Sequence, residues 1–223
     1  QFDFLLCQPR PHENKLERQI LFTLIDKFVA AGKPVFVWEQ DMFLGGFEKY
    51  LDNDNVILLH PALLPPADMT FKNQHLFPFF TYEPSKYDNM PSAYRIDYKD
   101  GWYKRKIPFI FIGNIYYREN QAMRFFDKMK DWKEEKVVFG SWLRTKERRE
   151  FSQQFESFKF YGSCNHNLAV PLMHAANSTL HILPDFAMDR GLMTARVFTS
   201  QMAHCLCFCD SKIYGADQFF PPE

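Results

Sequence analysis

The chain has 223 residues, 46 % of them apolar and 24 % charged, with 27 basic residues balanced by 27 acidic ones. That is an ordinary globular balance with room for one large domain or two small ones. Zero net charge gives no support for a broad electrostatic nucleic-acid surface while leaving room for a local basic groove. No apolar run reaches membrane-spanning length and no signal peptide is visible, so no membrane insertion and a cytoplasmic setting (host cytoplasm if viral) are expected. Five cysteines include Cys205, Cys207 and Cys209, alternating along one segment. No Cys or His set has metal-ligand spacing, so no metal site is expected and the thiols read as reduced core residues. The first residue is Gln1, almost on a strand, which reads as an N-terminal side that is incomplete or trimmed.

Phe2–Cys7 reads as a strand, followed by a loop with two prolines. Asn14 with Glu17 three residues on is a capping-box variant that opens a helix. Leu16, Ile20, Leu21, Leu24, Ile25, Phe28 and Val29 supply its apolar stripe, and Gly32 ends it. Val35–Trp38 is the next strand, completing a parallel β-α-β unit. A weaker second unit follows, with a helix over Phe43–Leu51 and a strand at Val56–Leu59. Residues 60–106 are rich in proline and aromatics and read mostly as a connection between two halves, with an edge strand at Leu76–Phe80.

A new strand begins at Ile107–Ile112. A helix follows with Ala122, Met123, Phe126 and Met129 on its apolar face, then a strand at Lys136–Phe139. Phe151, Phe155 and Phe158 mark another helix, and Lys159–Tyr161 a further strand. Pro171 suits the first turn of a helix over about Val170–Asn177. Thr179–Leu183 is a strand, Asp185–Gly191 a polar loop, and a helix starts after Thr194. Cys205–Cys209 closes the series as a buried parallel strand. The alternation is that of a doubly wound α/β domain, so the expected division is 1–106 and 107–223.

Ligands of such sheets bind at the carboxyl ends of the strands, which singles out four loops. Gly113 permits close backbone approach beside Asn114, and Arg118 is placed to pair with a phosphate. Ser141 and Arg144 follow the second strand of this half. His166 lies in the polar loop 162–167. Asp189, Arg190, Thr194 and Arg196 surround a helix N-terminus, where backbone N–H groups and the helix dipole favour an anion. Neither a Walker loop nor a G-x-G-x-x-G fingerprint is present. In the first half Gln8, Arg10 and His12 follow one strand end, and Glu39 and Asp41 another.

The segment GLMTARVFTSQMAHCLCFCD resembles the nucleotide-sugar-binding motif of GT-B glycosyltransferases, small-x-x-x-Arg-x-Phe-Glu followed by a helix and a strand. Arg196 and Phe198 match. Thr199 stands where that family has the Glu that holds the donor ribose, and His204 where it commonly has Gly. The run Gly-Asn-x-Tyr-x-Arg at 113–118 is similar to the start of the donor domain in a subgroup, including phage-encoded transferases that glycosylate modified bases in DNA. The resemblance implies an α/β protein of two Rossmann-like domains, the N-terminal one incomplete or small. It further implies a hexosyl- or pentosyltransferase using a nucleotide-diphosphate sugar, UDP-sugar foremost. Gly113, Asn114, Arg118, Ser141, Arg144, His166, Asp189, Arg190, Thr194 and Arg196 would then bind the donor, and one of His12, Glu39 and Asp41 would act as base. The resemblance implies chemistry with no resident cofactor and no metal, arginines stabilising the leaving diphosphate. The acceptor is unidentified, DNA being one candidate. Two other readings remain: a non-catalytic nucleotide- or sugar-binding module, which Thr199 supports, and a GT-B-like NDP-sugar epimerase.

Overall fold

The computed structural model describes residues 2–9, 14–39, 44–64, 70–77 and 105–219, with the backbone alone at 166, 167 and 219. Alternating buried positions build the first sheet. Strands β1 (Leu5–Cys7), β2 (Val35–Trp38), β3 (Val56–His60) and β4 (Asn73–Leu76) are parallel and lie in the order β1-β2-β3-β4. Val35, Val37, Val56 and Leu58 point to a core with Ile25 of α1 (Lys15–Ala30) and with Phe47, Tyr50 and Phe71. The α1 cap forms as expected: Glu17 N donates to Asn14 Oδ1 at 2.9 Å, and Asn14 N donates to Glu17 Oε2 at 3.1 Å. Removing this exposed reciprocal pair with Asn14→Ala is expected to lower unfolding free energy by about 1 kcal/mol, read as a urea-midpoint shift at unchanged m-value.

The second sheet contains β5 (Ile107–Ile112), β6 (Lys136–Phe139), β7 (Phe158–Tyr161), β8 (Ala176–His181) and β9 (Leu206–Cys209). All are parallel, in the order β7-β6-β5-β8-β9, so the winding reverses between β5 and β8. Helices α2 (Glu119–Met129), α3 (Lys146–Gln153), α4 (His166–His174), α5 (Asp185–Met188), α6 (Ala195–Met202) and α7 (Ala216–Phe219) complete the unit. Its core is aromatic. The Phe126 ring stacks on Phe158 at 4.6 Å and meets Trp142 at 5.6 Å and Phe155 at 5.4 Å, each pair adding about 0.5–1.5 kcal/mol beyond area burial.

The chain divides into two compact units: Gln1–Phe79 with Arg190–Met193, and Phe80–Asp189 with Thr194–Glu223. The short return segment is tied into the first unit beyond β3. Leu63 N donates to Gly191 O and Met193 N to Pro61 O, and Ala62 bridges Leu192 antiparallel.

Several elements differ from expectation. The helix over 43–51 shrinks to one 3-10 turn, Glu48–Tyr50, because Gly46 at φ 89° leaves the right-handed helical region; Phe43 is outside the described residues. The strand placed at Leu76–Phe80 is β4 at Asn73–Leu76, a polar run whose ladder to β3 needs only backbone groups. Residues 78–80 lie outside the described residues. Pro171 sits inside α4 rather than in its first turn, and Asn177 belongs to β8. Phe158 begins β7. In α1 the stripe residues Leu16, Ile20 and Leu24 are exposed, and only Ile25 is fully buried. The Cys205–Cys209 segment is not a buried strand: β9 ends the order of its sheet, with Leu206 and Phe208 exposed.

Among the buried histidines are His60 at the end of β3 and His174 at the end of α4. Burial lowers the pKa of both, and at His174 the neighbouring Arg105 charge adds to the effect. Both therefore stay neutral in the folded protein while unfolded histidine takes a proton near pH 6.5. Below that pH the unfolded chain binds more protons, so stability is expected to fall as pH drops from about 6.5 toward the lowered folded values. Urea midpoints followed from about pH 7.5 to 5 check this; level midpoints would contradict it.

Candidate functional site

The candidate site grows from the end of β5, at the point where the strand order reverses. Arg196, in the first turn of α6, reaches to this end. Its Nε and Nη2 both donate to the Ile112 carbonyl oxygen, at 3.1 and 2.8 Å, and its guanidinium lies 4.6 Å over the Phe111 ring. Gly113 follows at once. A Cβ there would run into Arg196 Nη2, so only glycine admits the guanidinium so close to the main chain. Burial, and then the nearby Arg118 charge, push the Arg196 pKa down to about 10. Like charges crowded together out of water are costly unless an anion joins them.

The loop after β5 is pinned to the loop after β6. Ser141 donates to Asn114 Oδ1 from its amide, at 2.9 Å, and from its hydroxyl. Trp142 Nε1 donates to the Gly113 carbonyl at 2.7 Å. Gly140, at φ 152°, has no room for a side chain, because a Cβ would meet the Gly113 carbonyl. Arg118 Nη1 donates to Asn114 O at 3.1 Å, so this arginine folds back over its own loop. Asn114 and Ser141 are therefore spent largely on each other, and their role here is to hold the turn.

The other expected residues are scattered more widely. Thr194 is the N-cap residue of α6; its Oγ1 makes no capping bond and lies 3.4 Å from Nδ1 of the buried His181 at the end of β8. Asp189 is exposed and closes α5 as its C-cap. Arg190 falls in the first unit, unlike Arg196. Arg144 is exposed on the loop after β6. His166 begins α4, and nothing is described of its side chain. Of the three candidate bases, His12 and Asp41 lie outside the described residues, as does Arg10. Glu39 follows β2 with a buried side chain, its amide donating to Leu59 O at 3.0 Å. Among the described residues, no group of three or more His, Cys, Asp or Glu is placed to hold a metal ion, and no helix is long and apolar enough to cross a membrane.

Sequence reasoning passed over three contributors: Trp142, which locks Gly113; His181, beside Thr194; and Arg148, which lies over Tyr116. Trp142 directly follows Gly140-Ser141, a position next to a strand end that could have marked it. His181 and Arg148 carry no local signal.

No described sequence family matches the chain, and no curated protein matches it in sequence. Solved structures do match. WaaG, a glycosyltransferase involved in lipopolysaccharide biosynthesis, aligns with a TM-score of 0.56 at 13% identity over 95% of this chain and 69% of its own. The β-glucosyltransferase of T4 phage aligns at 0.51 and 14% identity over 95% of this chain and 63% of its own. A DNA-modifying β-glucosyltransferase, solved in the presence and absence of uridine diphosphoglucose, gives 0.51 and 14% with 95% and 62% covered. All three are GT-B glycosyltransferases.

The chain has a GT-B fold. It spans roughly two thirds of the length of these GT-B structures, between 62% and 69%. The α/β class and the paired Rossmann-like sheets expected from the sequence are what a GT-B chain contains.

Proposed function

We propose that the protein transfers a sugar from a nucleotide-diphosphate sugar to an acceptor hydroxyl. The observation that carries this reading is Arg196. It is a guanidinium fixed at the carboxyl end of β5 and pressed toward Arg118, with no carboxylate in ion-pair range among the described residues. Such a site is built for the charge that a departing diphosphate develops. In this reading the arginines do the work that a metal does elsewhere, no resident cofactor is needed, and Glu39, His12 or Asp41 takes the acceptor proton. Uridine diphosphoglucose, present with one neighbour in the fold, makes a UDP-hexose the first donor to try. The same neighbour modifies DNA, which makes a modified base in DNA the first acceptor.

The test begins with thermal shifts against UDP, GDP, ADP, CMP and their sugars. Stabilisation by one nucleoside diphosphate supports the donor site and names the nucleotide. Release of that diphosphate from its sugar, with and without duplex DNA that carries a hydroxyl-bearing modified base, then separates transfer from mere holding. No shift with any of the panel would sink the reading. A shift without turnover would instead favour a binding module, in keeping with Thr199, whose hydroxyl donates to Ala195 O within its own helix at 2.7 Å.

A further inference from the structure

Three guanidiniums surround the Gly113–Asn114 turn, one more than the motifs indicate. Arg196 holds the carbonyl before it, and Arg118 holds the Asn114 carbonyl. The third is Arg148, from α3, whose Nη1 donates to the Ser141 carbonyl oxygen at 3.2 Å. Since Ser141 N also donates to Asn114 Oδ1, Arg118 and Arg148 each hold the carbonyl of one partner in the same Asn–Ser bridge. Arg148 is not a loose surface chain. Its guanidinium carbon sits 3.9 Å over the Tyr116 ring, and the Tyr116 hydroxyl meets both Arg148 and Ser141. Stacking of this kind fixes the plane of the guanidinium and leaves edge N–H groups for a further acceptor.

Its acidic neighbours are engaged elsewhere. Glu150 pairs with Lys146 at 3.7 Å, and Glu147 bonds back to its own amide and to Thr145. Among the described residues no carboxylate lies within ion-pair range of Arg148. The loop that is bonded to the Gly113–Asn114 turn thus carries a further positioned cation besides Arg196 and Arg118.

We propose that Arg148 makes the site count phosphates. Arg196 and Arg118 take one phosphoryl group and Arg148 takes the second, so that diphosphates are selected over monophosphates. This inference rests on the donor-site reading above and deepens it, adding a specificity residue that lies outside the motif.

The experiment measures affinities of the wild-type protein and of Arg148→Ala, Arg148→Lys and Tyr116→Phe for UDP, GDP, ADP and CDP and for the four matching monophosphates. Wild type is expected to bind its preferred diphosphate at least about ten-fold more tightly than the same monophosphate. Arg148→Ala should erase most of that ratio while leaving monophosphate affinity within about two-fold. Arg148→Lys should restore part of the ratio through charge alone, and Tyr116→Phe, which keeps the ring, should preserve it. A change in Arg148→Ala that weakens both forms equally would mean that the residue only braces the loop, and would overturn the proposal. So would an unchanged ratio. A wild-type protein that binds neither form overturns the donor reading together with this one, whereas a diphosphate preference that survives Arg148→Ala overturns this one alone.

Discussion

Arg196→Ala is expected to weaken binding of the nucleoside diphosphate by about 2–5 kcal/mol, roughly 30-fold to several thousand-fold in Kd, because it removes the guanidinium fixed at the end of β5. Stability should respond far less. Burial, and then the Arg118 charge, work against the charge on this guanidinium and lower its pKa to about 10. Its removal leaves the Ile112 carbonyl short of two donors but also relieves a desolvated charge beside Arg118. A residue that costs the fold and serves a ligand gives this split between binding and stability. Arg196→Lys should fail almost as badly, since an ammonium cannot grip one carbonyl with two N–H groups and also stack on Phe111. Alkali supplies a second check. With its pKa lowered to about 10, the folded chain gives up the Arg196 proton before the unfolded chain does, so above about pH 10 the contribution of this group to stability rises with pH. Anion affinity needs the proton and should fall as pH passes about 10. Calorimetric titration with the diphosphate, alongside urea midpoints across the same range, reads both trends; parallel trends would contradict the assignment.

Gly140→Ala is expected to cost at least about 3 kcal/mol of stability, a fall in Tm of roughly 6–12 °C, combining overpacking with backbone strain. The methyl group would be driven onto the Gly113 carbonyl, which already accepts from Trp142 Nε1. Neither neighbour can give way: one is main chain, and the other is an indole packed against Phe111, Phe126 and Phe151. The turn that carries Asn114 would have to move, and diphosphate binding should go with it. Gly162→Ala is the control, since a Cβ there meets nothing within 4 Å. Equal losses in the two variants would show that the close approach at Gly140 is unimportant.

The contrast between these two glycines cannot be read along the chain, and it shows where sequence reasoning reaches its limit. Val35–Trp38, Ile107–Ile112 and Lys136–Phe139 were legible to the residue, because apolar, β-branched and aromatic runs bounded by turn residues leave little else for the backbone to do. The Asn14–Glu17 cap was legible because its two partners are three residues apart. β4 was misplaced because Asn73, Gln74 and His75 carry no apolar period; the strand exists through its ladder to β3. At the site, the candidate residues on single loops could be picked out, and the structure gathers Gly113, Asn114, Arg118, Ser141 and Arg196 around one turn. What those residues do to one another was hidden. The Asn114–Ser141 bond spans 27 positions and the Arg196–Ile112 bond 84, so only the parallel pairing of β5 with β6 and β8 makes them neighbours.

The return segment Arg190–Met193 bears on the order in which the protein can be made. Its main chain completes the region beyond β3 through Leu63, Leu64 and Pro61. During synthesis the first 79 residues leave the ribosome more than a hundred residues before the four that belong with them. The first unit therefore completes these contacts only after residues 190–193 emerge, although domains generally fold as units while they are made. It waits with its β3 end unsealed until most of the second unit has been threaded out. Cutting the gene between the two units would leave the first permanently short of that seal, and a four-residue detour would dangle from the second.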